Sequence, residues 1–215
     1  MTDPDRLETN PWLRVPAADY EGHMGPEVAD QLSVLSELFR TVYTRTHPST
    51  VALLGCATGN GLEHIDRSFT DRVIAVDLNP RYLEIVRERH SQALGPILEL
   101  RCEPAEHWAC EAGSVDLIWA ALLLEYGSPR SILRRITQAL RRGGLLSVVL
   151  QMRSAAPAVT PTPYVSLHQL EEIMRIVPPE GLQKMAAALG LRLCESREHL
   201  LATGKRFWVG LFEQC

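Results

Sequence analysis

Gly55, Ala57, Gly59 and Gly61 stand at every second position after an apolar run at 50–55, and Asp77 closes a second apolar run sixteen residues beyond Gly61. Small residues in such a turn let a ligand approach the backbone closely and set peptide N–H groups where polar atoms can reach them. In a doubly wound topology the end of the second strand lies beside the first turn. The two oxygens of Asp77 are enough to accept from both hydroxyls of a ribose. Two plainer readings stand beside this one: glycines that only make a tight strand-to-helix connection, and an aspartate that caps the helix starting near Pro80. The second is compatible with ribose binding. Metal chemistry has no comparable pattern, because His64, His90, His107 and His199 are dispersed and no paired acidic motif is present.

The elements that must position these residues alternate. Val28, Leu32, Leu35, Phe39 and Val42 share one helical face over 27–45, with Pro26 suited to the first turn. Strands follow at 50–55 and 72–77, separated by a helix opening near Gly61. Asn79 and Pro80 can cap and begin the next helix, whose apolar side carries Leu83 and Val86. Further strands fall at 97–102, 114–124 and 145–151; between the last two, Ile132, Leu133, Ile136 and Leu140 form a helical stripe that stops at Gly143 and Gly144. A proline-punctuated loop at 153–164 leads to helical patterns at 166–176 and 180–189, then to two strands around Gly204. Residues 1–25 read as irregular, interrupted by Pro4, Pro11, Pro16 and Gly22. The expected fold is α/β: a Rossmann-like, doubly wound, seven-stranded sheet, mostly parallel with a C-terminal antiparallel hairpin. One domain over 1–215 is expected, with 1–46 forming an N-terminal lid segment and helix.

Composition narrows the function classes. Of 215 residues, 46% are hydrophobic and 22% charged, which describes a globular protein rather than a disordered or membrane one. The formal net charge of -4 offers a nucleic-acid backbone no overall attraction, so nucleic acid is disfavoured as a partner. The N-terminus has neither the basic opening nor the apolar run of a signal peptide, and no stretch reaches membrane-spanning length; a cytoplasmic protein with no membrane partner is expected. The five cysteines lack metal-ligand spacing and read as reduced, mostly structural thiols. Oligomeric state is left open.

"VALLGCATGNGL", "VIAVDLNPRYLEIVRER", "SVDLIWAALLLEY" and "LRRITQALRRGGLLSVVLQ" resemble, in order, the successive motifs of class I S-adenosylmethionine-dependent methyltransferases, of the small methyltransferase type 11/12 kind. The resemblance covers residues 50–151, and the terminal hairpin, similar to that family's antiparallel seventh strand, extends it over most of the chain beyond residue 26. Leu53 stands where the family often has an acidic residue, and Ala57 replaces its middle glycine. The resemblance implies S-adenosyl-L-methionine as cofactor. It assigns Gly55, Cys56, Ala57 and Gly59 to the methionine and ribose portions, and Asp77 with Leu78 to the ribose and one adenine face. Glu103, Pro104 and Ala105, or Glu106 in a shifted register, fall beside the adenine. Ala120 and Ala121, with Leu122, border the sulfonium and the incoming nucleophile.

Methyl transfer to a small-molecule substrate by in-line displacement asks mainly for alignment and exclusion of water. An amine or hydroxyl acceptor would add a need for a base, which a thiolate or carboxylate would not. His23, Tyr20 and Glu125 are the candidates for that role; Met24, Leu122, Tyr126, Gln151 and Tyr164 are the candidates for the substrate pocket. Two other classes compete: a nucleotide-dependent oxidoreductase, and a non-catalytic methyltransferase-like binding module.

Overall fold

The computed structural model describes residues 10–154, 157 and 159–215. Helices α1 (Ala17–Met24) and α2 (Leu32–Thr46) precede β1 (Thr50–Leu54) and β2 (Arg72–Asp77). Then come α3 (Pro80–Leu94), β3 (Leu98–Cys102), β4 (Val115–Ala121), α4 (Pro129–Ala139), β5 (Leu140–Gln151), α5 (Pro179–Ala187) and the pair β6 (Leu191–Leu200) and β7 (Arg206–Gln214). The seven strands make one sheet in the order β3-β2-β1-β4-β5-β7-β6. Pairings among β1 to β5 are parallel, and β7 runs antiparallel between β5 and β6. A dinucleotide-binding sheet ends in a parallel sixth strand instead, so the inserted β7 separates this chain from the oxidoreductase topology.

Alternation along the strands sorts the apolar residues into two cores. Ala52, Leu54, Ile74 and Val76 pack with Ile132, Leu133 and Ile136 of α4 and Leu182 of α5. Val51, Leu53, Val73 and Ala75 pack with Leu35, Phe39 and Val42 of α2 and Leu83 and Val86 of α3. Helices on both faces explain why the central strands read as unbroken apolar runs.

Several boundaries differ from the sequence reading. Residues 17–24 form a helix where irregular chain was expected. Helix α2 begins at Leu32, not near 27, because Gly25 and Asp30 close a turn first: Asp30 has φ 51° and donates its N–H to the Gly25 carbonyl at 2.7 Å. No α-helix follows the glycine turn. Gly61 sits at φ 101° and its N–H donates to Glu63 Oε2 at 2.7 Å, so the chain makes only a 3₁₀ turn at Leu62–His64. The pattern at 166–176 yields a 3₁₀ turn at Val165–Leu167 and a single helical turn at Leu170–Ile173. Of the cysteines, Cys56 is buried, whereas Cys102, Cys194 and Cys215 are exposed, so most are not core thiols.

Helix α4 ends at Ala139, and the two glycines expected to stop it lie inside β5 as a bulge. Val115 pairs with Leu140 but Leu117 pairs with Leu145, so five residues of β5 span two steps of β4. A Cβ on Gly144 would stand 2.8 Å from the Arg141 carbonyl oxygen and 3.0 Å from that of Val115, both backbone. Gly144→Ala is therefore expected to lower the melting temperature by several degrees, since each kcal/mol corresponds to about 2–4 °C in a chain of this size. Gly181→Ala, in α5 with nothing within 4 Å of the added carbon, is expected to raise stability by about 0.5–1 kcal/mol. Thermal denaturation of the two variants side by side checks both signs.

Candidate active site

The glycine turn is built onto the end of β2. Gly55 and Cys56 both donate their N–H groups to the Val76 carbonyl, at 2.9 and 3.0 Å, and Ala57 N–H donates to Asp77 Oδ2 at 2.9 Å. The other oxygen, Oδ1, accepts from Asn79 N–H at 2.8 Å. Asn79 in turn caps α3, its Oδ1 accepting from Arg81 N–H at 3.0 Å. Asp77 thus serves as the joint between the first turn and the start of α3, and the turn's N–H groups at 55, 56, 57, 59 and 61 are engaged within the protein rather than bare. Ala57 holds φ 46°, a left-handed conformation that costs a residue with a Cβ about 1–2 kcal/mol. Burial pushes the Asp77 carboxyl up to about 6, against the lowering effect of the Asn79, Ala57 and Leu78 N–H groups.

A cavity of about 1030 Å³ opens at the carboxyl ends of the strands. Gly55, Ala57, Asp77 and Leu78 form one side; Glu103, Pro104, Ala105 and Glu106, after β3, form the next. Ala121 and Leu122 border its middle. Residues 10–24 make the facing wall. Helix α1 is fixed there by three contacts: Glu21 pairs with Arg89 of α3, Asp19 Oδ2 accepts from Ser166 Oγ at 2.6 Å, and Gly22 lies so close to the Tyr164 hydroxyl that a Cβ would collide with it. Asn79 Nδ2 donates to the Trp12 carbonyl at 2.9 Å and anchors the preceding segment. The wall is aromatic. Trp12 meets Tyr126 edge-on at 5.0 Å between centroids and Tyr20 at 6.1 Å, and Tyr20 meets Tyr82 at 5.7 Å. Burial, with the nearby Asp77 charge, pushes the Tyr20 hydroxyl up, so it stays protonated.

The other end of the cavity is polar and buried. Glu125, just beyond β4, is 1% exposed, and its Oε1 accepts from Gln151 N–H at 2.7 Å. Among the described residues no group pairs with its Oε2. Burial pushes the Glu125 carboxyl up to about 7. Beyond Gln151, Lys205 Nζ donates to Gln151 Oε1 at 3.3 Å, and burial pushes that ammonium down to about 8. Burial and the Lys205 charge push His23 down to about 4, so its imidazole is neutral near pH 7. His23 Nδ1 is likewise buried without a hydrogen-bond partner among the described residues.

The fold therefore brings together Tyr20, His23, Met24, Glu125, Tyr126 and Gln151 with Asp77 around one cavity. Four candidates sit off its wall. Cys56 packs into the α2 side of the core and Ala120 into the α4 side. The missing side chain of Gly59 faces His90, whose Nε2 would lie 2.9 Å from a Cβ there. Tyr164 packs behind α1 with Val15 and Leu167. Residues the sequence reading left out are Lys205, in the β6–β7 turn, Tyr82, and Trp12 as a cavity wall. Trp12 and Tyr82 carried a signal, large aromatics in a polar segment and at a helix start. Lys205 carried none, because only the sheet order brings its turn to the carboxyl ends of the parallel strands.

Residues 53–148 match the family model described as a methyltransferase domain. A malonyl-[acyl-carrier protein] O-methyltransferase of Herminiimonas arsenicoxydans is 29% identical over 171 residues, which are 75% of this chain and 57% of that protein, so the chain spans little more than half of its length. Two solved structures share the fold. The geranyl diphosphate C-methyltransferase of Streptomyces coelicolor A3(2), solved with Mg2+, geranyl diphosphate and S-adenosyl-L-homocysteine, superposes with a TM-score of 0.71 over 100% of this chain and 99% of its own at 13% identity. The N-methyltransferase NodS of Bradyrhizobium japonicum WM9, solved with S-adenosyl-l-homocysteine, gives 0.68 over 98% and 97% at 16% identity. Four motifs in order, the matched methyltransferase domain model over residues 53–148 and the shared fold make the central part of the chain similar to S-adenosylmethionine-dependent methyltransferases.

Proposed function

We propose that the protein binds S-adenosyl-L-methionine across the carboxyl ends of β1, β2 and β4 and methylates a small-molecule acceptor held at the Glu125 end of the same cavity. The observation that carries this reading is the Asp77 carboxylate. It lies on the cavity wall beside the glycine turn, and each of its oxygens, though anchored by a backbone N–H, has acceptor capacity left for a ribose hydroxyl. Gly55 and Ala57 are small enough for close approach, and Leu78 offers an apolar face to a flat ring. Glu103 to Glu106 close the adenine side. When bound, the sulfonium supplies an electrophilic methyl group. The chain's own work is then alignment and exclusion of water: Ala121 and Leu122 border the middle, while α1 with Tyr20, His23 and Met24 acts as the lid. In this reading residues 1–215 work as one methyltransferase unit with the lid in 1–46.

Leu53 bears on the competing reading of a non-catalytic module. It is 1% exposed and belongs to the apolar core with Phe39 and Trp119, so the position where the family often has an acid is here a packing residue. That change leaves the Asp77 joint intact, which favours a retained cofactor site.

Isothermal titration with S-adenosyl-L-homocysteine should show one site per chain. Asp77→Ala should weaken it at least a hundredfold, because two hydrogen bonds to a charged acceptor, at about 1.5–3 kcal/mol each, are lost together. Wild-type protein that gives no heat with either S-adenosyl-L-homocysteine or S-adenosyl-L-methionine would overturn the proposal.

A buried carboxyl whose folded pKa lies above its ordinary value stabilises the fold fully at low pH and loses that contribution as pH rises through the folded value. For Glu125 the window runs from 4.5 to about 7. Glu125→Gln keeps the Oε1 acceptor for Gln151 N–H and removes the charge. It should therefore melt about 3 °C or more above wild type at pH 8.5, at about 2–4 °C per kcal/mol, and within about a degree of it at pH 4. Equal melting points at pH 8.5 would show that the carboxylate is not destabilising where it sits.

A further inference from the structure

Glu125 has an asymmetry that the cofactor reading does not use. Glu125 lines the cavity; its Oε1 is fixed by Gln151 N–H at 2.7 Å, while Oε2, buried beneath the cavity surface, meets no donor among the described residues. A carboxylate oxygen held out of water without a donor is costly, and the cost is offset when a ligand brings a donor to it. The chain that carries this side chain is fixed at three points. The Glu125 carbonyl accepts from Arg175 N–H at 2.8 Å, Tyr126 packs against Trp12, and Leu122 N–H is tied to the Val149 carbonyl at 2.9 Å. The carboxylate therefore waits at a fixed point rather than swinging to find a partner.

The groups around it select the donor. A carboxylate or thiolate acceptor would add a second negative charge beside an anion already poor in donors. An alkyl hydroxyl, whose proton is far less acidic than that of an ammonium, is a poorer match to a carboxylate base. A nitrogen nucleophile answers both conditions, and the rings of Trp12 and Tyr126 beside Glu125 favour a group that carries partial or full positive charge while packing its apolar remainder. The other titratable groups at this end leave the site to Glu125. Lys205 Nζ donates to Gln151 Oε1, the Arg175 guanidinium, also on the cavity wall, donates to the Met174 carbonyl at 2.8 Å, His23 is neutral near pH 7, and the Tyr126 hydroxyl is pushed up by burial and by Glu125 itself.

We propose, on the basis of the methyltransferase reading, that Glu125 Oε2 accepts an N–H of the acceptor substrate, that this substrate is a small amine, and that the proton released on methylation leaves through Glu125. The nitrogen lone pair forms the new N–C bond as the C–S bond breaks, and the pair of that bond stays on sulfur as a neutral thioether. The N–H proton of the resulting ammonium passes to the carboxylate, giving a neutral amine and a neutral carboxylic acid, which returns its proton to solvent as the product departs. A carboxyl pushed up to about 7 is matched to this task better than an ordinary one, since a base works best with a pKa near the working pH.

The test uses the intact protein and four matched probes, benzylamine, benzyl alcohol, benzoate and benzyl mercaptan, with methyl-labelled S-adenosyl-L-methionine. Label is expected on benzylamine in preference to the other three. In Glu125→Gln its kcat should fall about a hundredfold or more, and the rise of kcat through pH 7 should vanish. Glu125→Asp should recover part of the rate, and S-adenosyl-L-homocysteine affinity should stay within about threefold. Preferential labelling of benzoate, the alcohol or the thiol overturns the proposal, as does wild-type turnover in Glu125→Gln. If no probe is labelled, benzylamine is titrated into the protein saturated with S-adenosyl-L-homocysteine: binding at least tenfold weaker in Glu125→Gln supports the proposal, and equal or absent binding in both overturns it. Failure of S-adenosyl-L-homocysteine itself to bind the wild type is a separate result and strikes the methyltransferase reading instead.

Discussion

The carboxylate of Asp77 bridges two backbone N–H groups that the chain could not otherwise bring together, and the site's geometry depends on that bridge. Ala57 N–H on one oxygen and Asn79 N–H on the other fix the glycine turn against the start of α3. The register of β1 on β2 sets up the approach: Leu54 pairs with Val76, so the next two N–H groups both reach the Val76 carbonyl and the chain must then turn sharply. Gly55 takes φ 67° without penalty, but Ala57 at φ 46° does not. A hydrogen bond from its N–H to a charged acceptor is worth more than one to a neutral acceptor and offsets the strained conformation. The turn and the aspartate are thus one feature, and the first cannot be described without the second.

Packing explains why that feature tolerates Leu53. Successive residues of β1 face opposite cores, and Leu53 faces the one that holds Phe39 and Trp119, whose rings meet edge-on at 5.6 Å. Gly61 completes this side, since a Cβ on it would lie 3.0 Å from the Phe39 ring. The Phe39 and Trp119 rings, the leucine and a closely packed glycine make the floor beneath the turn apolar throughout. A carboxylate at 53 would require a partner that this floor does not contain.

The sheet and the place of Asp77 beside the glycine turn were legible in the sequence because strands covered on both faces must be continuously apolar and because a parallel sheet puts successive strand ends side by side; the hydrogen bond from Ala57 N–H that makes it a joint was not. The departures have local causes. Helix α1 escaped detection because it covers a cavity instead of a core: its inward side carries Tyr20, His23 and Met24, a mixture with no clean apolar period. The absent helix after Gly61 reflects Glu63 folding its side chain back onto the Gly61 N–H, an interaction two residues long that no periodicity reports. The Glu125–Gln151 contact joins residues 26 positions apart. It follows from the pairing of Ala121 with Val149, so it becomes visible only when β4 and β5 are known to be neighbours in that register.

Both ends of the cavity hold a carboxyl group whose ionised form is disfavoured by burial, Asp77 at one and Glu125 at the other, each beside a tyrosine that stays protonated. A core built for stability alone would carry neither, because each makes the fold less stable as pH rises. Their common property is that a positive charge placed between them relieves both. In the proposed reading a bound sulfonium would bring such a charge into the cavity, and so would an ammonium formed on the acceptor. Lys205 and His23 line the same cavity, the cation engaged by Gln151 Oε1 and the imidazole neutral near pH 7. Burial, which makes these carboxylates costly to the fold, is also what lets their charge act on a cationic ligand with little screening by water.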